Sequence, residues 1–463
     1  MSHDMSPEEF RQQGHQIVDW IAGYLENIRD YPVLPDRKPG DLVDALPPSA
    51  PEHGEPMERM LSDFRDLVLP EVNHWNHPNF HAYFSVSASG PGILGEMLTA
   101  ALNVNAMLWK SCPAATELEQ VTLEWLREWL GLPPGWFGII YDTASITSMT
   151  SIAAARERAF PEVRIDGGLR DAIVYTSEHA HSSIEKGAIT LGIGQKNVRK
   201  IGVNEKFSMR PELLEAAIGE DRRAGRKPFY VCASVGTTST ASVDPVNAVA
   251  DIAEREGLWL HVDAAYAGPT AILPEMRGHF AGCDRADSFL LNPHKWLFTP
   301  IDISVLYTKH PDILRRAFSL VPEYLRTTED ARAVNYMDYG VQLGRRFRAL
   351  KLWFVMRYFG REGISAILRE HLRISQTLTA AIQNDHRFEI VAPVLFSLVC
   401  FRLRESNEAN QRLLEAINSS GRAFLSHTVL NGKYTLRFAI GNIKVTEEDI
   451  ASTWSLIQRL AGV

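Results

Sequence analysis

The strongest constraint on this fold is a change of rhythm between Gly138 and Trp296, where short apolar, β-rich runs alternate with helical ones. Ala172–Thr176, Phe229–Ser234, Leu258–Asp263 and Ser288–Asn292 each read as a strand with almost no polar interruption. Between them, Ser182–Leu191 reads as a short helix. The run after Asp244-Pro245 reads as a helix capped there and stopped at Gly257. Alternating strands and helices with continuously apolar strands predict a mostly parallel sheet covered on both faces. Such sheets bind ligands beyond the carboxyl ends of their strands, so the chemistry is expected at strand ends.

The flanks differ. Ser6-Pro7-Glu8-Glu9 starts a helix with a stripe at Ile17, Trp20, Ile21, Tyr24, Leu25 and Ile28 that must bury itself on the body or on a second copy. Tyr31–Pro56 reads as a connector. Beyond about residue 350, Leu352–Phe359 and Ile364–Ala381 look helical, Leu395–Leu403 and Tyr434–Ile440 look like strands, and a closing helix starts at Thr446. The 463 residues carry 48 basic and 56 acidic side chains, net charge −8, which leaves no electrostatic footprint for nucleic acid. Apolar runs such as Ile93–Trp109 are broken by Glu96 and Asn103, so no membrane span is expected. The first residues lack a basic and then apolar leader, and Cys112, Cys232, Cys283 and Cys400 form no CxxC pair. A cytoplasmic protein with reduced thiols is expected.

Two strand ends carry the chemistry. Asp263 ends one apolar strand, and Lys295 follows the next in Asn292-Pro293-His294-Lys295-Trp296. Alone, the first reads equally well as a cap and the second as a surface lysine. Together they match the needs of pyridoxal 5'-phosphate, an amine for the aldehyde and a carboxylate for the pyridine nitrogen. Thr143-Ala144-Ser145 before a helical run offers a phosphate cradle, and His181 can stack on a flat ring. His74, His77 and His81 suggest a metal, but Pro78 breaks their spacing and no acid or cysteine completes a set, so none is expected.

The stretches HVDAAYAG (His261–Gly268), NPHKW (Asn292–Trp296), SCPAATELE (Ser111–Glu119) and GRRFRALKLWF (Gly344–Phe354) occur in order. With them the chain resembles the pyridoxal-phosphate-dependent group II amino-acid decarboxylases, most closely the aromatic-L-amino-acid decarboxylases, from Phe10 to about Leu460. The resemblance implies an α/β, fold-type-I (aspartate-aminotransferase-like) enzyme. Its expected parts are an N-terminal helical, dimerising arm over residues 1–89, a large cofactor domain over 90–351 and a small α+β domain over 352–463. It implies a homodimer with the active site at the interface. Lys295 would be the Schiff-base lysine, Asp263 the pyridine-nitrogen partner and His181 the stacking imidazole; Ala144, Ser145, Asn292 and His294 would hold the phosphate, with Thr238 and Ala265 lining the ring. Tyr324 matches the tyrosine of a mobile catalytic loop, with the polar stretch Arg326–Asn335 beside it, and would return a proton to the decarboxylated substrate.

The same resemblance places Trp75, Tyr83, Phe84, Val86, Asn105, Met107 and Gly344 in the substrate pocket, with Asn105 and Met107 serving the other subunit. Relatives usually carry Pro-Thr or Pro-Ser where Ser85-Val86 stand, so Val86 lacks the hydroxyl that would meet a phenol or catechol. Gly344 leaves room for a broad ring. The implied reaction is decarboxylation of an aromatic L-amino acid of phenylalanine, tryptophan or tyrosine type to its arylalkylamine. The rivals are an aldehyde synthase on the same scaffold, a decarboxylase of a non-aromatic amino acid and a catalytically dead binding protein. Synthases of this kind tend to lack the loop tyrosine or the stacking histidine, and this chain has both Tyr324 and His181.

Overall fold

The structure is a computed structural model that describes residues 4–320 and 333–462. The chain divides into two compact units, one of Met1–Ser85, Asp385–Glu389 and Phe401–Val463, the other of Val86–Asn384 and Ile390–Cys400.

The larger unit is built on seven strands: β1 (Phe137–Tyr141), β2 (Ala172–Ser177), β3 (Val198–Ile201), β4 (Lys227–Ser234), β5 (Trp259–Asp263), β6 (Ser288–Leu291) and β7 (Ser304–Thr308). Their order is β1-β7-β6-β5-β4-β2-β3. Neighbours from β6 through β3 pair parallel, and β7 runs antiparallel to both β6 and β1. Every residue of β2, β5, β6 and β7 is buried, which is why these runs carry no alternation of polar and apolar residues. The helix Val246–Glu256 ends where expected, with Gly257 at φ 68° and its N–H on the carbonyls of Ala253 and Glu254. Its start differs from the expectation. Pro245 is the cap residue and no side chain caps the helix, because the Asp244 carboxylate accepts from Met209 N–H (2.7 Å) and Ser234 N–H (2.8 Å) instead.

The unit boundaries also differ from the expected ones. Residues 351 and 352 both lie inside the helix Arg348–Gln383, whose buried Ala349, Leu352, Val355 and Met356 keep it with the larger unit. It packs on the helix Gly90–Leu102, where a Cβ added to Gly95 would stand 2.8 Å from the Lys351 Cα, so only glycine allows this approach.

The smaller unit joins both ends of the chain. The four-stranded sheet, order β10-β11-β9-β8, consists of β8 (Phe388–Ile390), β9 (Leu398–Leu403), β10 (Ser426–Leu430) and β11 (Lys433–Ala439). The unit boundary passes through β8 and β9. The opening helix Pro7–Glu26 starts at Ser6, whose hydroxyl accepts from Glu9 N–H, and the closing helix Glu447–Leu460 starts with a capping box between Thr446 and Asp449. Arg29 ties these ends together through a bidentate pair with Asp449, at 3.1 and 2.9 Å. The apolar stripe covers itself only in part. Trp20 meets Phe64 edge-on at 5.0 Å, while Ile17, Trp20 and Ile21 still line a groove with Leu61 and Phe64.

Candidate active site

The carboxyl ends of β5 and β6 lie side by side, with Asp263 in register with Leu290. Asp263 is buried, and its Oδ1 accepts from Ala265 N–H at 3.0 Å, so the turn after the strand fixes the carboxylate. Asn292 N–H donates to Ala265 O (3.1 Å) and Lys295 N–H to Asn292 O (3.0 Å), which brings the lysine one turn beyond β6 and beside the end of β5. Asp263, Ala265, Asn292 and Lys295 are thus brought together. His181 follows β2, and its Nδ1 accepts from Ser183 N–H at 3.1 Å. The protein packed around its ring lowers its pKa; the Asp263 carboxylate opposes that shift, and Lys295 and Lys186 add to it. The imidazole therefore lies within the electrostatic reach of both strand-end groups.

The donor set fits a phosphorylated pyridine. Ala144 and Ser145 are the first residues of the helix Ala144–Ala159, which no side chain caps, so its first-turn N–H groups face outward from the helix end. Among the described residues the buried Asn292 Oδ1 has no hydrogen-bond partner. His294 accepts at Nδ1 from Ile303 N–H (3.0 Å), so its neutral ring carries the proton on Nε2 and offers a donor there. Burial pushes that imidazole down to about 3, and the Lys295 charge adds to the shift. Thr238 is exposed on the loop between β4 and the next helix, within a cluster where Thr237, Thr240 and Ser242 share hydroxyl bonds of 3.0 and 2.7 Å.

The expected substrate wall falls into two groups. In the smaller unit, Trp75 stacks on Phe80 (4.2 Å) and Tyr83 (5.8 Å), and the Arg437 guanidinium lies over buried Phe84 at 5.3 Å. In the larger unit, Val86 is half-buried, while Asn105, Met107 and Gly344 converge: Asn105 Nδ2 donates to Met107 Sδ at 3.4 Å and would stand 3.8 Å from a Cβ on Gly344. Tyr324 and residues 326–332 lie outside the described residues.

The three histidines of the early segment have structural roles. His74 bonds Tyr24 OH (2.9 Å), His77 Nδ1 accepts from Asn79 N–H (2.9 Å), and His81 donates from Nδ1 to Ala439 O (3.1 Å).

Two features escaped sequence reasoning. One is Asp244, which holds the base of the Thr238 loop. The other is the buried pair Arg345–Glu119, at 2.8 Å. Arg345 also donates to Ile140 O (2.8 Å) and Ala106 O (3.3 Å), covers the Tyr336 ring at 4.5 Å, and gives its own N–H to Asn105 Oδ1 (3.0 Å). A single guanidinium therefore joins the end of β1 to the Asn105–Met107 wall. Its place in the GRRFRALKLWF run was the only available signal.

Residues 39–404 match the pyridoxal-dependent decarboxylase conserved domain. The chain is 41% identical to phenylacetaldehyde synthase of Arabidopsis thaliana, over 99% of this chain and 97% of that protein. It is also 41% identical to tryptophan decarboxylase TDC2 of Camptotheca acuminata, over 98% and 95% of the two chains. Among solved structures, Oryza sativa TDC with PLP and tryptamine superposes with a TM-score of 0.97 at 36% identity, covering 100% of this chain and 99% of that one. The family model spans most of the chain and the relatives match nearly all of it, so the chain belongs to the pyridoxal-dependent decarboxylases.

Proposed function

We propose that the protein decarboxylates an aromatic L-amino acid of phenylalanine, tryptophan or tyrosine type, releasing the arylalkylamine and carbon dioxide. The observation that carries this reading is the convergence of Asp263 and Lys295 at adjacent strand ends with His181 in the field of both. The relatives named for tryptophan and phenylacetaldehyde chemistry supply the substrate class. Bound pyridoxal phosphate supplies an electron sink for the pair left when the carboxylate departs. Lys295 anchors the cofactor through its amine, and Asp263 holds the proton on the pyridine nitrogen. His181 covers the ring, Thr238 and Ala265 line it, and Ala144, Ser145, Asn292 and His294 hold the phosphate. Tyr324 returns the proton to the substrate carbon, directly or through His181.

Trp75, Tyr83 and Phe84 line the aromatic pocket with Val86. Asn105 and Met107 complete the pocket of a second subunit in a cytoplasmic homodimer, and Gly344 belongs to the substrate-pocket wall. The dimer is supported by the half-covered stripe on Pro7–Glu26 and by the open position of Asn105. Among the described residues no helix is long and apolar enough to cross a membrane.

The second reading is an aldehyde synthase, favoured by the Arabidopsis relative, in which oxygen and water are consumed and aldehyde, carbon dioxide, ammonia and peroxide are released. The presence of both Tyr324 and His181 favours the amine. Incubation with a panel of aromatic amino acids, scoring amine, ammonia and peroxide together, separates the two. Stoichiometric amine without peroxide is expected, and stoichiometric peroxide refutes the decarboxylase reading. In Tyr324→Phe, product is expected to move from amine toward aldehyde; an unchanged product ratio removes the tyrosine from the proton step.

A further inference from the structure

Each of the two cofactor-bearing strand ends is followed by a buried aromatic side chain that the proposed chemistry does not use. Tyr266 comes directly after Ala265, and Trp296 directly after Lys295. Their rings stack with centroids 4.9 Å apart and planes within 1°. The Trp296 indole N–H donates to His371 Nδ1 at 2.9 Å, with the two ring planes within 4°. Trp296 is 1% exposed and His371 2%, on the helix Arg348–Gln383. The Tyr266 and Ser397 hydroxyls lie 2.6 Å apart. The Ser375 hydroxyl, on that same helix, donates to the Leu372 carbonyl at 2.8 Å and lies 3.2 Å from the Phe396 carbonyl next to Ser397. The indole end of the stack is therefore bonded to that helix, and the phenol end bonds the segment that lies beside it.

An indole can only donate, so His371 Nδ1 must be unprotonated and the neutral ring must carry its proton on Nε2. This bond is more than packing requires. A phenyl ring in place of the indole would keep the stack, whereas an indole N–H buried without an acceptor is costly.

We propose that Trp296 and His371 are positioning residues: their hydrogen bond, with Tyr266 stacked on the indole, fixes the peptide of Lys295 relative to the turn after Asp263, so that amine and carboxylate meet the cofactor at a set spacing. The device acts through its neighbours and touches no reacting atom. It rests on Lys295 being the cofactor-bearing lysine.

The test uses the full-length enzyme and three readouts: the dissociation constant for pyridoxal phosphate, the visible circular dichroism per bound cofactor, and thermal melting of the cofactor-free protein. His371→Leu removes the acceptor and His371→Gln keeps one. Trp296→Phe keeps the ring and removes the donor, and the double variant Trp296→Phe/His371→Leu removes both ends of this bond. His371→Leu and Trp296→Phe are each expected to weaken cofactor binding about tenfold, the low end for an orphaned or lost buried hydrogen bond, and to change the visible dichroism. His371→Gln is expected to stay within about threefold of wild type, and the double variant to be no worse than the poorer single one.

Lower melting temperatures with unchanged cofactor affinity and dichroism overturn the proposal, as does equal loss in His371→Gln and His371→Leu. If His371→Leu does not fold, Trp296→Phe and His371→Gln decide by the same criteria. Lys295→Ala tests the lysine assignment separately, because a retained visible band in that variant refutes the assignment whatever the His371 variants do.

Discussion

Asp244 makes the pH dependence of this fold open to calculation. The residue is fully buried, and its carboxylate is held by two backbone N–H groups, with no cation bonded to it among the described residues. Burial raises its pKa from 3.8 to about 6, against the two hydrogen bonds that lower it. The folded state therefore binds this proton more tightly than the unfolded chain does. The contribution to stability is fully present below the unfolded value and is lost as pH rises through about 6. A shift of about two units corresponds to about 3 kcal/mol in all, and about half of that falls between pH 8 and pH 5.

Asp244→Asn removes the titration. It also turns an amide NH₂ toward one of the two N–H donors, which costs about 1–3 kcal/mol. At pH 8 that cost and the relief from burying a charge nearly cancel, so the two proteins should unfold at similar temperatures. At pH 5 wild type should be the more stable by about 1–2 kcal/mol. The assay is thermal unfolding of both proteins at fixed protein and cofactor concentration across that range, reading only their difference so that other titrating groups cancel. A difference that stays constant from pH 8 to pH 5 refutes the assignment of the proton to Asp244.

Other expectations follow from the same geometry. Arg345→Met leaves Glu119 buried with only the Ile140 N–H, at 2.9 Å, bonded to it among the described residues, and should cost about 3–5 kcal/mol; Arg345→Met/Glu119→Leu should recover part of it, and denaturant midpoints of the two variants test this. A larger loss in the double variant would mean that the pair is not the unit removed. Gly344→Val should fold normally, since among the described residues an added Cβ meets nothing nearer than 3.8 Å, yet should raise KM for tryptophan more than for phenylalanine. Equal effects on both substrates would place Gly344 outside the ring pocket.

The legible parts of the fold were those whose cause is local. β2 and β5 announce themselves because a strand buried on both faces needs an unbroken apolar run, and Gly257 announces a helix end because φ 68° favours glycine. Even the reading of Leu352–Phe359 and Ile364–Ala381 as separate helices has a local basis, since Gly360 sits at φ 62° and kinks the one helix that spans them. That reading failed as a domain boundary because the buried face on both sides of the kink stays with one unit, which no window of sequence reports.

The charged groups after β5 and β6 were legible for a different reason. Asp263 and Lys295 contradict their apolar surroundings, and a charged group at a buried strand end calls for a partner. Arg345 gives no such contradiction. It stands in a short basic run with nothing local to mark it as buried, and its partner Glu119 lies 226 residues away. Asp244 was misread for a related cause: before Pro245 an aspartate satisfies every local rule for a helix cap, while its actual partners, Met209 and Ser234, meet it only once the sheet has formed. Local signals thus located the groups proposed to meet the cofactor, and left unseen the buried charges that hold the Thr238 loop and the Asn105–Met107 wall in place. It follows that substitutions at Asp244 and Arg345 should disturb those two segments while leaving the Asp263–Lys295 turn intact.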